Sequence, residues 1–324
     1  MRLIFFGASP PRHLALPTRT AQAGNISLST GVTLSTLFAG APLGQGTRTL
    51  LFLHGFPEGA YTWWPVMSAG VLPSSYTLVA PDQRGYNRSV AAGAPDGALS
   101  VPLLASDVYA LIDHLGGKVD LVAHDWGGGV AFWVAAGSPE RLRSLSVVNM
   151  CHPSGWIEGV RGVPAQQQAS SYVLTFIRPG FADYLVADDC AELQSWFSAK
   201  AFWPALKDAL LSAWRVPGSV DRGLGWYRAN IHPAAPLNCT TWQCWKQGVR
   251  GAFDDMPHNG TVVVPTLVQW GMLDTAFATD FQLAYLPTKV ANLKLVKYPQ
   301  NDHWLAQEEP AKVAGEIAAF VAGN

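Results

Sequence analysis

The sequence predicts an α/β fold, a mostly parallel central sheet flanked by helices with a helical cap inserted into it. Three observations carry that expectation. Short apolar runs bounded by turn residues, TLLFLHG (49–55), YTLVAPD (76–82) and VDLVAHD (119–125), read as buried strands. Between the last two, Val101, Leu104, Val108, Leu111, Ile112 and Leu115 recur at helical spacing, and a strand, a helix and a strand in that order imply a right-handed parallel unit. The rhythm stops at Pro153 and resumes only at TVVVPTLVQWG (261–271).

Taken in order, the apolar run from Leu3 to Phe6 breaks at Gly7, too short for a signal-peptide core or a membrane span. NISLSTGVTLSTLFAG (25–40) alternates apolar and polar residues around Thr30 and Gly31 and reads as a hairpin. After the first parallel unit come a helix from about Gly128 to Gly137 and a strand at RSLSVVNM (143–150). From Pro153 to Pro257 the chain carries Trp196, Trp203, Trp214, Trp226, Trp242 and Trp245 in helix-like stretches broken by Pro and Gly, the expected cap. LKLVKYP (293–299) reads as the last strand, and PAKVAGEIAAFVAG as a closing amphipathic helix whose Pro310 suits a first turn. The expected division is residues 1–152 as the first part of the core, 153–257 as the cap and 258–324 as the second part of the core.

A chain of 324 residues with 49% hydrophobic and 14% charged residues is long enough to bury a large core. A formal net charge of -1, without blocks of like charge, leaves no footprint for nucleic acid or an anionic membrane, so the expected partner is a small neutral molecule. Of the four cysteines, Cys151, Cys190, Cys239 and Cys244, none forms a zinc-type pattern, and Cys239 and Cys244 lack flanking His or Cys pairs. No metal and no cofactor are expected, and reduced thiols make a cytoplasmic setting the default. The N-x-S/T matches at Asn25, Asn87, Asn238 and Asn259 carry weight only in a secreted chain. Whether the chain forms a homodimer is left open.

The chemistry begins at HDWGGG (124–129). A strand ending at Ala123, then x-Asp-x-Gly-Gly and a helix, is the nucleophile-elbow pattern with aspartate in place of serine. A serine suits attack on an acyl carbon. The carboxylate of Asp125, already ionised near neutral pH, suits displacement at a saturated carbon to give an alkyl ester, which water then cuts if a base and oxyanion donors assist. The competing reading of Asp125 is a helix cap. HGFPE (54–58) follows a strand where such folds place the oxyanion loop, so the backbone N–H groups of Phe56 and Trp126 are the expected donors, with a cis bond before Pro57. A plain strand-to-loop turn is the alternative for that loop. A base must come late: His303, in QNDHWLAQ, follows the last expected strand, and Asp274, in VQWGMLDTAF, is its expected orienting acid. Asp302, beside the histidine, is the weaker candidate, and His54 and His124 read as structural. Trp126, Phe56 and Phe176 are expected to line an apolar slot.

These motifs resemble the epoxide hydrolase branch of the α/β-hydrolase superfamily, from about residue 25 to the C-terminus. HGFPEGAYTWW, PDQRGYNRS, HDWGG and DHW carry the resemblance; Asn87 and Ala123 stand where that branch usually has glycine. The resemblance implies the α/β-hydrolase fold and hydrolysis of a small apolar epoxide to a vicinal diol. In the cap, SYVLTFIRPGFAD and GLGWYRAN look like that branch's two tyrosine-bearing segments, which lands the ring-opening donors on Tyr172 and Tyr227. A neutral phenol can donate to the opening oxygen, though both tyrosines would equally suit cap packing. Dehalogenases share the aspartate, but Phe56 stands where they use asparagine, and Trp126 and Gly129 stand at their arginine positions. Haloalkane or haloacid dehalogenation is therefore the second reading, and a ligand receptor without turnover the third.

Overall fold

The computed structural model describes residues 20–89, 96–233 and 249–324. The run from Leu3 to Phe6, Asn238, Cys239, Trp242, Cys244 and Trp245 lie outside the described residues.

The expected hairpin pairs β1 (Gln22–Ser27) with β2 (Thr33–Gly40) in antiparallel register. The chain reverses where Leu28 N–H donates to Val32 O at 2.8 Å and Gly31 takes φ 82°, a conformation glycine adopts without strain. Next come β3 (Arg48–Leu53), the short α1 (Trp64–Met67), β4 (Tyr76–Pro81), α2 (Val101–His114), β5 (Val119–His124), α3 (Asp125–Gly137) and β6 (Leu142–Val148). Helices α4 (Pro153–Gly162), α5 (Pro164–Ala169), α6 (Val173–Phe176), α7 (Phe181–Phe197), α8 (Trp203–Trp214) and α9 (Ser219–Asn230) follow, then a separate antiparallel pair, β7 (Ile231–Pro233) with β8 (Val249–Gly251). The main sheet resumes with β9 (Thr266–Gly271) and β10 (Leu293–Tyr298) and is backed by the closing helix Pro310–Ala322.

The sheet has eight strands in the order β1-β2-β4-β3-β5-β6-β9-β10, parallel from β4 onward. β4, β5 and β9 are buried along their whole length, as strands covered on both faces must be. One apolar cluster packs α2 and α3 on one face; the other packs α1 and the closing helix on the opposite face. This order brings the carboxyl ends of β3, β5, β6, β9 and β10 side by side, where ligands bind in open α/β sheets. Side chains from the helices between β6 and β9 reach the loops at those ends. Trp214 Nε1–H donates to Pro57 O at 2.6 Å, and Trp226 Nε1–H to Arg84 O at 3.0 Å.

Two boundaries differ from the sequence reading. The run read as one strand over 261–271 is ordered as β9 only from Thr266, with Val262 in an isolated bridge to Val290. Pro265 between them has no N–H to continue a ladder. Helix α3 starts at Asp125 rather than near Gly128, because the elbow is itself the first helical turn. Gly127 sits there against β3: a Cβ on it would lie 2.5 Å from Leu53 O and 2.6 Å from His54 O, both backbone atoms. Gly127→Ala is therefore expected to destabilise the fold by about 1–3 kcal/mol. The readout is the melting temperature, with Gly162→Ala, whose added methyl meets nothing within 4 Å, as the control.

Candidate active site

Asp125 turns the chain from β5 into α3 with φ 48°, a left-handed conformation that a short polar side chain tolerates better than most. Its carboxylate projects into the space that a side chain at Gly55 would fill, so the loop after β3 can close over it. Oδ1 accepts the backbone N–H of Phe56 at 2.8 Å, and Oδ2 lies 3.5 Å from His303 Nε2. Trp126, the next residue, is in the first turn of α3, where backbone N–H groups have no intrahelical acceptor. The Phe56–Pro57 peptide bond is cis.

His303 follows β10, and its Nδ1 lies 2.9 Å from Asp274 Oδ2, in the loop after β9. Asp274 is held in turn: Oδ2 also accepts Asn149 Nδ2–H at 2.8 Å, and Oδ1 accepts Ala276 N–H at 2.8 Å. Asp302 does not share this role; it pairs with Lys200. Burial works against the charge on Asp125, but the hydrogen bond and charge of His303, with His124 and the Phe56 N–H, hold its carboxyl below the usual range. Burial likewise disfavours a charged His303, yet Asp274 and Asp125 together raise it well above an ordinary imidazole. The three groups form one buried ionic row.

Sequence reasoning missed two supports. Asn149, just after β6 with φ 42°, accepts Gly271 N–H at Oδ1 while its amide N–H holds Asp274. Glu58, 3% exposed, joins three segments. Its Oε2 accepts Gly55 N–H at 3.0 Å and lies 2.7 Å from His124 Nδ1, Oε1 accepts Gln307 Nε2–H at 2.7 Å, and His124 Nε2 lies 2.9 Å from His303 O. Burial opposes ionisation of Glu58, but His124 and the Gly55 N–H outweigh it and hold the carboxyl low. The one signal in the sequence was a glutamate inside the otherwise apolar HGFPE. His54, read as structural, has Nε2 accepting Gln83 N–H at 3.0 Å.

Tyr172, at the start of α6, and Tyr227, in α9, line the same space as Asp125. That space has two lobes meeting at these three residues. A narrow inner lobe is walled by Trp126, Met150, Trp156, Phe253 and Phe277. A wider, more open one is bordered by Phe56, Phe176, Trp196, His303 and Trp304. Tyr227 packs edge-on against Trp126 at 4.9 Å, Phe176 at 5.1 Å and Phe56 at 5.6 Å between ring centroids, which fixes where its ring points. Burial first, and then nearby negative charge including Asp125, pushes both phenols well above their ordinary value, so both are neutral donors at pH 7. The structure thus brings together Asp125, His303, Asp274, Tyr172, Tyr227, Phe56, Trp126 and Phe176.

Asn149→Ala would remove one of the buried donors of Asp274 and put alanine at a positive φ. About 1–3 kcal/mol of lost support is expected. It should appear as a fall in kcat together with a lower melting temperature, and an unchanged kcat would show that Asp274 needs no such support.

The alpha/beta hydrolase fold family model matches residues 48–310. Epoxide hydrolase 4 of Mus musculus is 30% identical over 289 residues, covering 86% of this chain and 74% of its own length. An epoxide hydrolase of Caballeronia sordidicola is 30% identical over 300 residues, covering 84% and 87%. The crystal structure of an epoxide hydrolase from Bacillus megaterium in complex with an inhibitor superposes with a TM-score of 0.78 at 24% identity, covering 92% of this chain and 99% of that one, a likeness of fold. These relatives favour the epoxide reading over dehalogenase or receptor. An aspartate at the elbow, a histidine and second carboxylate behind it, two phenols across the cleft and epoxide hydrolase relatives matched over most of the chain lead to a single conclusion: the chain belongs to the epoxide hydrolases of the α/β-hydrolase family.

Proposed function

We propose that this protein hydrolyses a small apolar epoxide to a vicinal diol through an ester on Asp125, with the helical segment 153–257 serving as the cap that closes the site. The observation that carries it is the shared lining of one apolar cleft by the carboxylate and both phenols. In the first step an Asp125 oxygen attacks a ring carbon and the C–O bond of the epoxide breaks. Its electron pair goes to the oxygen, which Tyr172 and Tyr227 stabilise by donating hydrogen bonds or a proton. Forming the ester removes the charge on Asp125, one of the two influences that keep His303 protonated, and the His303 proton then passes through solvent to the opened alkoxide or to the tyrosinate that protonated it, leaving the imidazole neutral. In the second step neutral His303 takes a proton from water, with Asp274 stabilising the imidazolium. The hydroxide adds to the ester carbonyl, whose oxygen faces the Phe56 and Trp126 N–H groups, and collapse releases the diol and restores the carboxylate. A cytoplasmic setting suits the free, buried thiols of Cys151 and Cys190.

The decisive experiment is a single turnover in oxygen-18 water followed by mass analysis of the peptide containing residue 125. Label in Asp125 supports the ester, and label found only in the first diol refutes it. Asp125→Ala should lower turnover by about 10⁴-fold or more while the protein stays folded. Tyr172→Phe combined with Tyr227→Phe should slow ring opening by about 10²–10³-fold beyond either single change, since each donor partly covers for the other; unaltered turnover in the double variant removes the tyrosine roles.

The resting ion pair also sets a pH window. The lowered Asp125 contributes stability above the ordinary carboxylate range, lost as pH falls through its folded value. The raised His303 contributes stability at and below an ordinary imidazole value, lost as pH rises through its own. In Asp125→Asn one of the two raising influences is gone while Asp274 remains, so His303 should titrate lower than in the unaltered protein by NMR. An unchanged titration would show that the pair is not coupled.

A further inference from the structure

Lys200 lies in the turn between α7 and α8 and reaches across to the loop that carries His303. Its ammonium pairs with Asp302 and, at 2.9 Å, with Glu308. Both acceptors are built into that loop. Asp302 Oδ1 accepts Trp304 N–H at 3.0 Å, while Glu308 Oε2 accepts Asp302 N–H at 3.2 Å and Asn301 Nδ2–H at 3.1 Å. The bonds form a ring around residues 301–304, with the imidazole of His303 turned away from it toward Asp274. An apolar contact runs beside the ionic one: Phe197, ending α7, packs its ring 4.7 Å from Trp304, whose ring lies 5.0 Å from His303. The side chains of Lys200, Asp302 and Glu308 are 24%, 30% and 20% exposed, shielded enough for the cluster to hold a geometry.

We propose that Lys200 is a positioning residue for the water-activating step: through Asp302 and Glu308 it holds the His303 loop against the helical segment above it. The inference rests on the two-step reading given above. Ring opening uses Asp125, fixed by its own elbow and the Phe56 N–H, and the two phenols. Ester hydrolysis needs His303 within reach of a water and of the ester, and a displacement of about 1 Å at such a base costs about 100-fold. The charged groups around the imidazole are Asp125 after β5 and Asp274 after β9, which face it, Asp302 behind it on its own loop, near enough to interact by charge, and His124 on β5 with Glu58 behind that; Phe277 and Trp304 face it with aromatic rings. Lys200 offsets the charge of Asp302, the carboxylate beside His303 that takes no part in the row. Without Lys200 that charge favours the imidazolium, and the base form appears at higher pH.

Lys200→Met, Lys200→Arg and the pair Lys200→Met with Asp302→Asn would be compared with the unaltered protein by rapid-quench single turnover of a styrene oxide-like epoxide, weighing the alkylated protein by mass spectrometry. Lys200→Met should form the ester at the unaltered rate and hydrolyse it about 10- to 100-fold more slowly. kcat and KM should fall together as ester accumulates, and the acidic limb of kcat should move to higher pH. Arginine should restore hydrolysis, and the paired variant should return the limb toward its original place. Unaltered ester hydrolysis in Lys200→Met, equal slowing of both steps with a lowered melting temperature, or failure of arginine to restore would each overturn the role. If the unaltered protein forms no ester at all, the two-step reading itself fails and takes this inference with it.

Discussion

A carboxylate removed from water takes up a proton unless donors replace its hydration, and Asp125, 6% exposed, must stay ionised to serve as the proposed nucleophile. Its turn conformation, φ 48°, costs on the order of 1–2 kcal/mol for a residue with a side chain. The Phe56 N–H on one oxygen and His303 beside the other supply what solvent no longer does. The rest of the site follows from this requirement. The loop after β3 must approach closely enough to donate, which only a glycine at position 55 permits, and the histidine must carry a second carboxylate to remain a cation in the interior.

The same logic repeats one layer out. Asp274 and Glu58 are buried charges too, each surrounded by several donors, and each set of donors comes from different strand ends. Breaking one such set leaves an uncompensated charge, so these networks fix the positions of the loops more firmly than apolar packing does. Glu58 links the loop after β3 to the residue before the nucleophile and, through His124, to the backbone of His303. The loops after β3, β5 and β10 are therefore tied to one another through a single buried side chain.

How much of this could be read beforehand depends on sequence distance. The strands and α2 were legible because burial on both faces, or helical spacing, leaves a local pattern. The meeting of Asp125, His303 and Asp274 was legible because each sits in a short motif at a strand's carboxyl end, and chain order then suggested the roles proposed for them. Asn149 and the Glu58 network were not. Asn149 lies 125 positions from Asp274, and Gln307 lies 249 positions from Glu58, so no local period reports either pairing. The late start of β9 was missed because VVVPT looks strand-like until Pro265 is given its full weight, and the early start of α3 because an aspartate at positive φ is not what helix propensity describes.

The apolar walls of the cleft suit the proposed chemistry for a reason that concerns charge transfer rather than substrate fit. Ring opening does not create a charge in the cleft; it moves one, from the carboxylate of Asp125 to the epoxide oxygen. Before the step that charge faces the Phe56 N–H and His303, and after it the charge faces Tyr172 and Tyr227. Surroundings of low polarity strengthen both sets of hydrogen bonds, because the apolar walls screen neither end of the transfer as bulk water would. The negative charge of Asp125 is also one of the influences that keep the phenols protonated. After the step that charge sits against the phenol protons themselves, on an alkoxide more basic than the carboxylate it left, so the donors share or give up a proton to that oxygen.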